Sequence, residues 1–169
     1  MKVRPRTGGH SSPEEPGPDE DRANLESGSP EIAPGVTELD HTADVGIAVE
    51  ADSPAELFQR AAAGTIALMW SGRPAISGAL ELRQVKARAD GTDVLLVRWL
   101  AELLYLLEVD GFVYQSAAIE SLNRRSLTAT VTGGQAAEPP QMEIKGVTYH
   151  GLEAGRRDER WYAQLIFDV

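Results

Sequence analysis

Cysteine is absent from the 169-residue sequence. Its absence excludes disulfides, thiolate nucleophiles and cysteine metal sites, and it fits a reducing compartment. Long apolar runs are also missing, because Arg98 and Glu102 interrupt the most hydrophobic stretch and leave it short of the ~20 apolar residues of a membrane helix. The basic N-terminus lacks the apolar segment of a secretory signal. These absences predict a soluble, cytoplasmic protein with no membrane partner.

Familiar chemical signatures are missing as well. The sequence contains no Walker A phosphate-binding loop, no G-x-G-x-x-G after a strand, no G-x-S-x-G and no H-E-x-x-H. It therefore offers no motif for direct nucleotide binding. Of the three histidines, His10 lies in a Pro/Gly-rich tail, so only His41 and His150 remain for the folded part. A zinc site built from three histidines is excluded.

Positive charge is in short supply, since 16 Lys and Arg residues face 26 Asp and Glu residues and the net charge is −10. An acidic field of this size repels phosphate backbones, which disfavours general, direct binding to nucleic acid. The same charge suits metal cations or a basic protein partner. It equally suits solubility alone, and the charge by itself does not decide between these interpretations.

The chain divides into a tail and one domain. Residues 1–34 are rich in Pro, Gly, Ser and acids and show no hydrophobic period, so they are predicted to be a disordered tail. Residues 35–169 have ordinary globular composition and are long enough for a single domain with its own core.

Hydrophobic periodicity predicts two helices and seven strands in that domain. Strands are predicted at 36–39, 46–51, 75–89, 112–122, 126–134, 142–154 and 160–169, and helices at 53–70 and 91–111. Ser53, Pro54 and Glu56 form a capping box at the start of the first helix, and Thr92 is the expected cap of the second. The order β-β-α-β-α-β-β-β-β, connected through hairpins, predicts an α+β fold with antiparallel sheets covered by two helices.

Two carboxylates stand at the ends of predicted strands. Asp44 lies in the turn of the first hairpin, and Asp168 is the penultimate residue, directly before the main-chain carboxylate of Val169. If the last strand lies beside the first hairpin, these groups converge as an all-oxygen cluster. Such a cluster suits a hard divalent cation, Ca²⁺, Mg²⁺ or Mn²⁺, better than zinc.

Simpler interpretations exist for the same residues. An aspartate in a hairpin turn is commonly a turn former, and residues at chain ends commonly fray. Against fraying, the chain stays apolar through residues 165–167, immediately before Asp168. The histidines His41 and His150 fit hydrogen-bonded structural roles better than the role of a base.

Several stretches together resemble one known family. They are "DHTADVGI", "ELFQRAAAGTIALMW", "WLAELLYLLEVDGFVY", "MEIKGVTYHGLE" and the terminal "LIFDV". In this order and at this spacing they resemble archease, and the resemblance runs from Thr37 to Val169. The pair of an HTAD motif and a terminal D-[IV] is specific, whereas either motif alone is weak. The stretch "MEIKGVTYHGLE" departs from the family pattern at Gly146, where alanine is expected.

The resemblance implies a protein that assists an RtcB-type RNA ligase, the enzyme that joins RNA ends in tRNA splicing and RNA repair. Archease is not itself the ligase: it promotes guanylylation of the ligase's active-site histidine and multiple turnover. The family binds a divalent ion, assigned as calcium, and the matching ligands here are Asp44, Asp168 and Val169. The resemblance thus implies that archease contacts RNA only indirectly, through the ligase.

The resemblance also directs attention to four residues around the two motifs, with supporting or partner-contacting roles. They are Asp40, His41, Lys145 and His150.

Two alternatives to the ligase activator remain open at this point. One is a metal-dependent enzyme that uses His41 as a base beside a carboxylate-bound ion. The other is a chaperone-like or calcium-binding interaction module without effect on catalysis. Turnover by the isolated protein would indicate the first alternative, and partner binding without any change in the partner's catalysis would indicate the second.

Overall fold

The structure is a computed structural model and describes residues 29–40 and 45–169. This part of the chain forms two helices, α1 (Pro54–Trp70) and α2 (Thr92–Asp110), and eight strands. The strands are β1 (Glu31–Ala33), β2 (Val36–Asp40), β3 (Val45–Ala51), β4 (Ile76–Arg88), β5 (Phe112–Leu122), β6 (Ser126–Ala136), β7 (Gly146–Arg157) and β8 (Arg160–Asp168).

The strands form two antiparallel sheets. The first has five strands in the order β1-β2-β3-β8-β7, and the second has three in the order β4-β6-β5. Every pairing is antiparallel. The predicted fold class, α+β with antiparallel sheets and two helices, is therefore confirmed. The last strand does lie beside the first hairpin, because β3 pairs with β8 along the full length of β3.

Local hydrogen bonds explain where the helices begin. At the start of α1 the Ser53 hydroxyl accepts from the Glu56 amide at 3.1 Å, while the Glu56 carboxylate accepts from the Asp52 amide at 2.8 Å. The first bond is one half of the predicted capping box, whereas the second goes to the amide of Asp52, one residue before the Ser53 cap. The prediction that Thr92 caps α2 is wrong. Gly91 occupies the cap without any side-chain hydrogen bond, because Thr92 is already the first helical residue.

Both helices lie against both sheets and fill the core between them. Trp99 of α2 is fully buried, and its indole N–H donates to the carbonyl of Phe58 in α1 at 3.0 Å. Its ring also meets Tyr114 edge to face, with the ring centres 6.4 Å apart. The apolar face of α2 that carries Leu96, Leu100 and Leu103 is therefore part of the core. In the described part of the chain, neither helix is long and apolar enough to cross a membrane.

The first strand differs from the prediction. Residues 31–33 form β1 and pair with β2, Glu31 opposite Thr37, although composition had assigned them to the tail. The sheet thus begins before residue 35, because three residues beside an established strand need no hydrophobic period of their own to extend it. Residues 1–28 of the predicted tail lie outside the described residues.

Candidate functional site

Asp168 is the last residue of β8, and its side chain is exposed. It has a neighbouring strand on each side. On the β7 side Asp168 pairs with Gly146, and on the β3 side the adjacent pair is Phe167 with Val45. The end of the five-stranded sheet therefore gathers the start of β3, the start of β7 and the end of β8.

Lys145 ties this end of the sheet together. Its amide donates to the main-chain oxygen of Asp168 at 2.8 Å, and its ammonium donates to the main-chain oxygen of Val169 at 3.1 Å. The Lys145 side chain is exposed, and none of the ion pairs between described side chains includes it. The sequence-predicted supporting residue Lys145 is thus brought directly against two of the predicted site residues.

Two further predicted residues lie outside the described part of the chain. His41 and Asp44 lie in the undescribed stretch 41–44, and for Asp40 the structure gives only its main-chain place at the end of β2, paired with Val45. Within residues 29–40 and 45–169, no three Asp, Glu or His side chains stand close enough to hold a metal ion. The ligand role of Asp44, Asp168 and Val169 stays a prediction.

The two faces of β8 have different surroundings. Leu165 and Phe167 point into the core and are fully buried. Asp168 and Ile166 alternate with them and share the outer face of the sheet. Cross-strand partners share a face, so Thr148, which pairs with Ile166, also lies on the outer face, two pairs along the strands from Asp168.

The hydroxyl of Thr148 is buried without a hydrogen-bond partner. Across the described residues it is the single buried side-chain polar atom in this condition. Such atoms are rare because an unpaired buried hydroxyl costs about 1–3 kcal/mol, so each one needs an explanation. The unpaired hydroxyl is a local cost in stability on the face of the sheet that carries Asp168.

The donors present at this end fit a hard cation. The Asp168 carboxylate forms no salt bridge with any described residue, and the main-chain oxygen of Val169 already attracts one cation, the Lys145 ammonium. Carboxylate and carbonyl oxygens are the ligands that Ca²⁺ and Mg²⁺ prefer. The departure at Gly146 is compatible with the site, because a Cβ there would meet nothing within 4 Å.

His150 lies on an irregular part of β7. Between the pairs Thr148–Ile166 and Glu153–Gln164, residues 149–152 of β7 face the single residue Leu165 of β8. His150 is exposed on this bulge and forms no salt bridge with Asp168. Its predicted supporting role is therefore not tested by a contact.

Among residues 29–40 and 45–169, two surface cavities lie away from this end of the sheet, and neither of the two is lined by a predicted site residue. One of about 350 Å³ lies beside Arg157 and Tyr162, and one of about 700 Å³ lies beside Asp90 and Arg125. Burial raises the pKa of Tyr162, whereas the Arg157 guanidinium, 3.9 Å from the ring centre, opposes the rise. Charged side chains dominate both linings, whereas small-molecule sites are mostly apolar and enclosed.

The fold and the site define a small α+β protein that presents oxygen donors and a lysine at an exposed sheet end. Residues 37–169 match the model of the Archease protein family (MTH1598/TM1083). The chain belongs to the archease family.

Individual relatives agree with this assignment. The protein archease of Methanosarcina acetivorans is 33% identical over 139 residues, which cover 78% of this chain and 93% of that protein. The protein archease of Pyrococcus furiosus is 30% identical over 137 residues, which cover 77% of this chain and 95% of that protein.

Two solved structures share the fold. The solution structure of Methanobacterium thermoautotrophicum protein 1598 has a TM-score of 0.64 at 24% identity and covers 81% of this chain and 100% of its own. The crystal structure of an archease, possible chaperone, from Thermotoga maritima has a TM-score of 0.55 at 18% identity and covers 77% and 94%. At these identities the likeness concerns the fold alone.

Thr148 and Tyr149 of β7, near this end of the sheet, were not among the residues predicted from the sequence. The strand pattern gave no reason to single out a threonine hydroxyl, since its lack of a partner depends on what packs over it. For the bulge there was one signal, the glycine Gly151 within the strand-like stretch "GVTYHGLEA", because glycine inside a strand often marks a bulge.

Proposed function

We propose that this protein activates an RtcB-type RNA ligase in the cytoplasm, by promoting guanylylation of the ligase's active-site histidine and multiple turnover. The resemblance of its motifs to archease, together with membership of that family, supports the proposal. The structural observation that carries it is the pairing of Val45 with Phe167. In sequence Asp44 directly precedes Val45, and Asp168 directly follows Phe167.

We infer that the two aspartates converge beyond this pair. Two carboxylates brought together in this way can share one divalent cation. The same two carboxylates without a cation would repel each other. In the proposal Asp44, Asp168 and the Val169 oxygen therefore hold a divalent ion, with Ca²⁺ favoured and Mg²⁺ or Mn²⁺ as alternatives.

The chain's own residues then have distinct tasks. Asp44 and Asp168 hold charge at the exposed sheet end, Lys145 fixes the main chain of the last two residues, and the paired strands keep these groups in one geometry. When bound, the ion supplies positive charge and fixed geometry for nucleotidyl transfer in the ligase. The acidic protein docks this end into the positively charged, metal-containing cleft of the ligase, where preorganised groups lower the cost of aligning histidine and triphosphate.

Replacement of the carboxylates tests the proposal. Asp168→Asn and Asp44→Asn keep the side-chain size but remove the charge, so each should abolish stimulation of ligase guanylylation by GTP while the melting temperature stays near that of wild type. Asp90→Asn is the matched control, because the Asp90 carboxylate is 97% exposed and lies outside this end of the sheet. Full stimulation by both site variants would refute the proposal.

The chaperone-like or calcium-binding module remains the second candidate, because the Thermotoga maritima relative is described as a possible chaperone. The guanylylation assay separates the two candidates. A module of this kind would bind the ligase and leave the rate of guanylylation unchanged, whereas an activator raises that rate.

A further inference from the structure

The bulge in β7 is unusually large. Ordinary bulges place two residues opposite one, but here residues 149–152 all face Leu165. Gly151 adopts φ +61°, a left-handed conformation that glycine permits without steric cost. The Gln164 side-chain amide also approaches the Gly151 carbonyl at 3.4 Å. The bulge is thus a formed element with its own contacts.

The position of the bulge relative to the site follows from its neighbours. A Cβ on Gly151 would lie 3.5 Å from the Gln164 amide and 3.6 Å from Cγ1 of Ile166. Both of these side chains are on the outer face of β8, so the bulge folds over that face. Ile166 is only 4% exposed although it points away from the core. Asp168 is the next outer-face residue of β8, so the bulge borders the proposed metal site.

Tyr149 opens the bulge and is 59% exposed. Exposed aromatic side chains beside polar groups are typical of binding hot spots, because a ring buries much area at little cost in rotamer entropy. Val169, 44% exposed, is the other large apolar side chain left open at this end of the chain. Tyr149 begins the bulge that borders the outer face of β8, and Val169 directly follows Asp168, so both are exposed apolar residues in the segments that form this end of the sheet.

We infer that the bulge of residues 149–152 is a docking element, with Tyr149 as the anchor that holds the ligase beside the Asp168 site. This inference rests on the proposed function and adds to it the surface that carries affinity. The partner surface it fits is a protein pocket that encloses the tyrosine ring next to the basic cleft of the ligase. Tyr149 contributes binding, and the carboxylates contribute activation.

A pair of tyrosine variants tests the inference. Tyr149→Ala should weaken the affinity for the ligase by about tenfold or more, as expected for loss of an aromatic hot spot. Its calcium affinity and melting temperature should equal those of wild type, and its stimulation of guanylylation should recover at high concentration. Tyr149→Phe should retain most of the affinity. Tyr105→Ala is the control, because Tyr105 of α2 is also 59% exposed but lies on a different surface.

Three results would overturn the inference. Affinity of Tyr149→Ala equal to that of Tyr105→Ala removes the docking role and leaves the proposed function standing. Loss of stimulation that high concentrations do not restore assigns Tyr149 to activation and not to docking. Failure of the wild-type protein to bind the ligase at all refutes the proposed function, and the docking role falls with it.

Discussion

At the level of single residues, two buried threonine hydroxyls differ in their hydrogen bonding. The one on the outer face of the sheet near Asp168 lacks a partner in the described part of the chain, which costs stability, and the one in the core has a partner. The Thr148 hydroxyl is buried and unpartnered, whereas the hydroxyl of Thr65 in α1 donates to the Ala61 carbonyl at 2.9 Å. Functional sites commonly keep such unfavourable groups because they serve binding and not folding. The Thr148 hydroxyl therefore lowers the stability of the fold without serving any hydrogen bond among the described residues.

Replacing Thr148 with valine should stabilise the protein. Thr148→Val keeps the β-branched shape and removes the unpaired hydroxyl, so the free energy of unfolding in urea should rise by about 1 kcal/mol. Thr130→Val is the control: the Thr130 hydroxyl donates to Glu120 at 2.5 Å, so its loss should give no gain in stability. Destabilisation of Thr148→Val by a similar amount would mean that the hydroxyl has a partner in solution.

At the scale of the element, helix α1 approaches the first sheet at a glycine. A Cβ on Gly64 would stand 2.6 Å from Cγ1 of Val36 and 3.1 Å from Cδ1 of Ile47. Both neighbours are fully buried β-branched side chains with little freedom to move. The close approach brings α1 onto β2 and β3, the hairpin that flanks Asp44 in sequence.

Gly64→Ala should therefore destabilise the fold although alanine favours helices. The helix propensity gain is about 1 kcal/mol, and overpacking typically costs about 1–3 kcal/mol, so the clash should dominate and lower the melting temperature. Gly155→Ala in β7 is the control, since a Cβ there meets nothing within 4 Å. A higher melting temperature for Gly64→Ala would show that α1 shifts easily on the sheet.

The elements that could be predicted from sequence are those with local signals. The capping box fixes the start of α1, and the Asn123 side chain, which accepts from the amides of Arg125 and Ser126, makes the predicted turn between β5 and β6. β1 has no such signal, because it exists through pairing with β2. The pairing of β3 with β8 is likewise tertiary information. Sequence reasoning could state only what would follow if those strands met.

At the level of the whole molecule, both helices pack against both sheets, and one end of the larger sheet gathers the start of β3, the start of β7 and the end of β8. The described part of that end holds Lys145, Asp168 and Val169, with Tyr149 and Thr148 on the adjoining surface. The net charge of −10 disfavours general binding to nucleic acid, and under the proposed function it would complement a basic cleft of the ligase.

Under the proposed function, the protein raises the rate at which an RtcB-type ligase forms its guanylylated histidine. The direct measurement is the guanylylation rate with GTP, with and without the full-length protein, over a titration of calcium, magnesium and manganese. We predict a rate increase that needs the protein, depends on a divalent ion and disappears with Asp168→Asn. An equal rate with and without the protein at every metal concentration would contradict it.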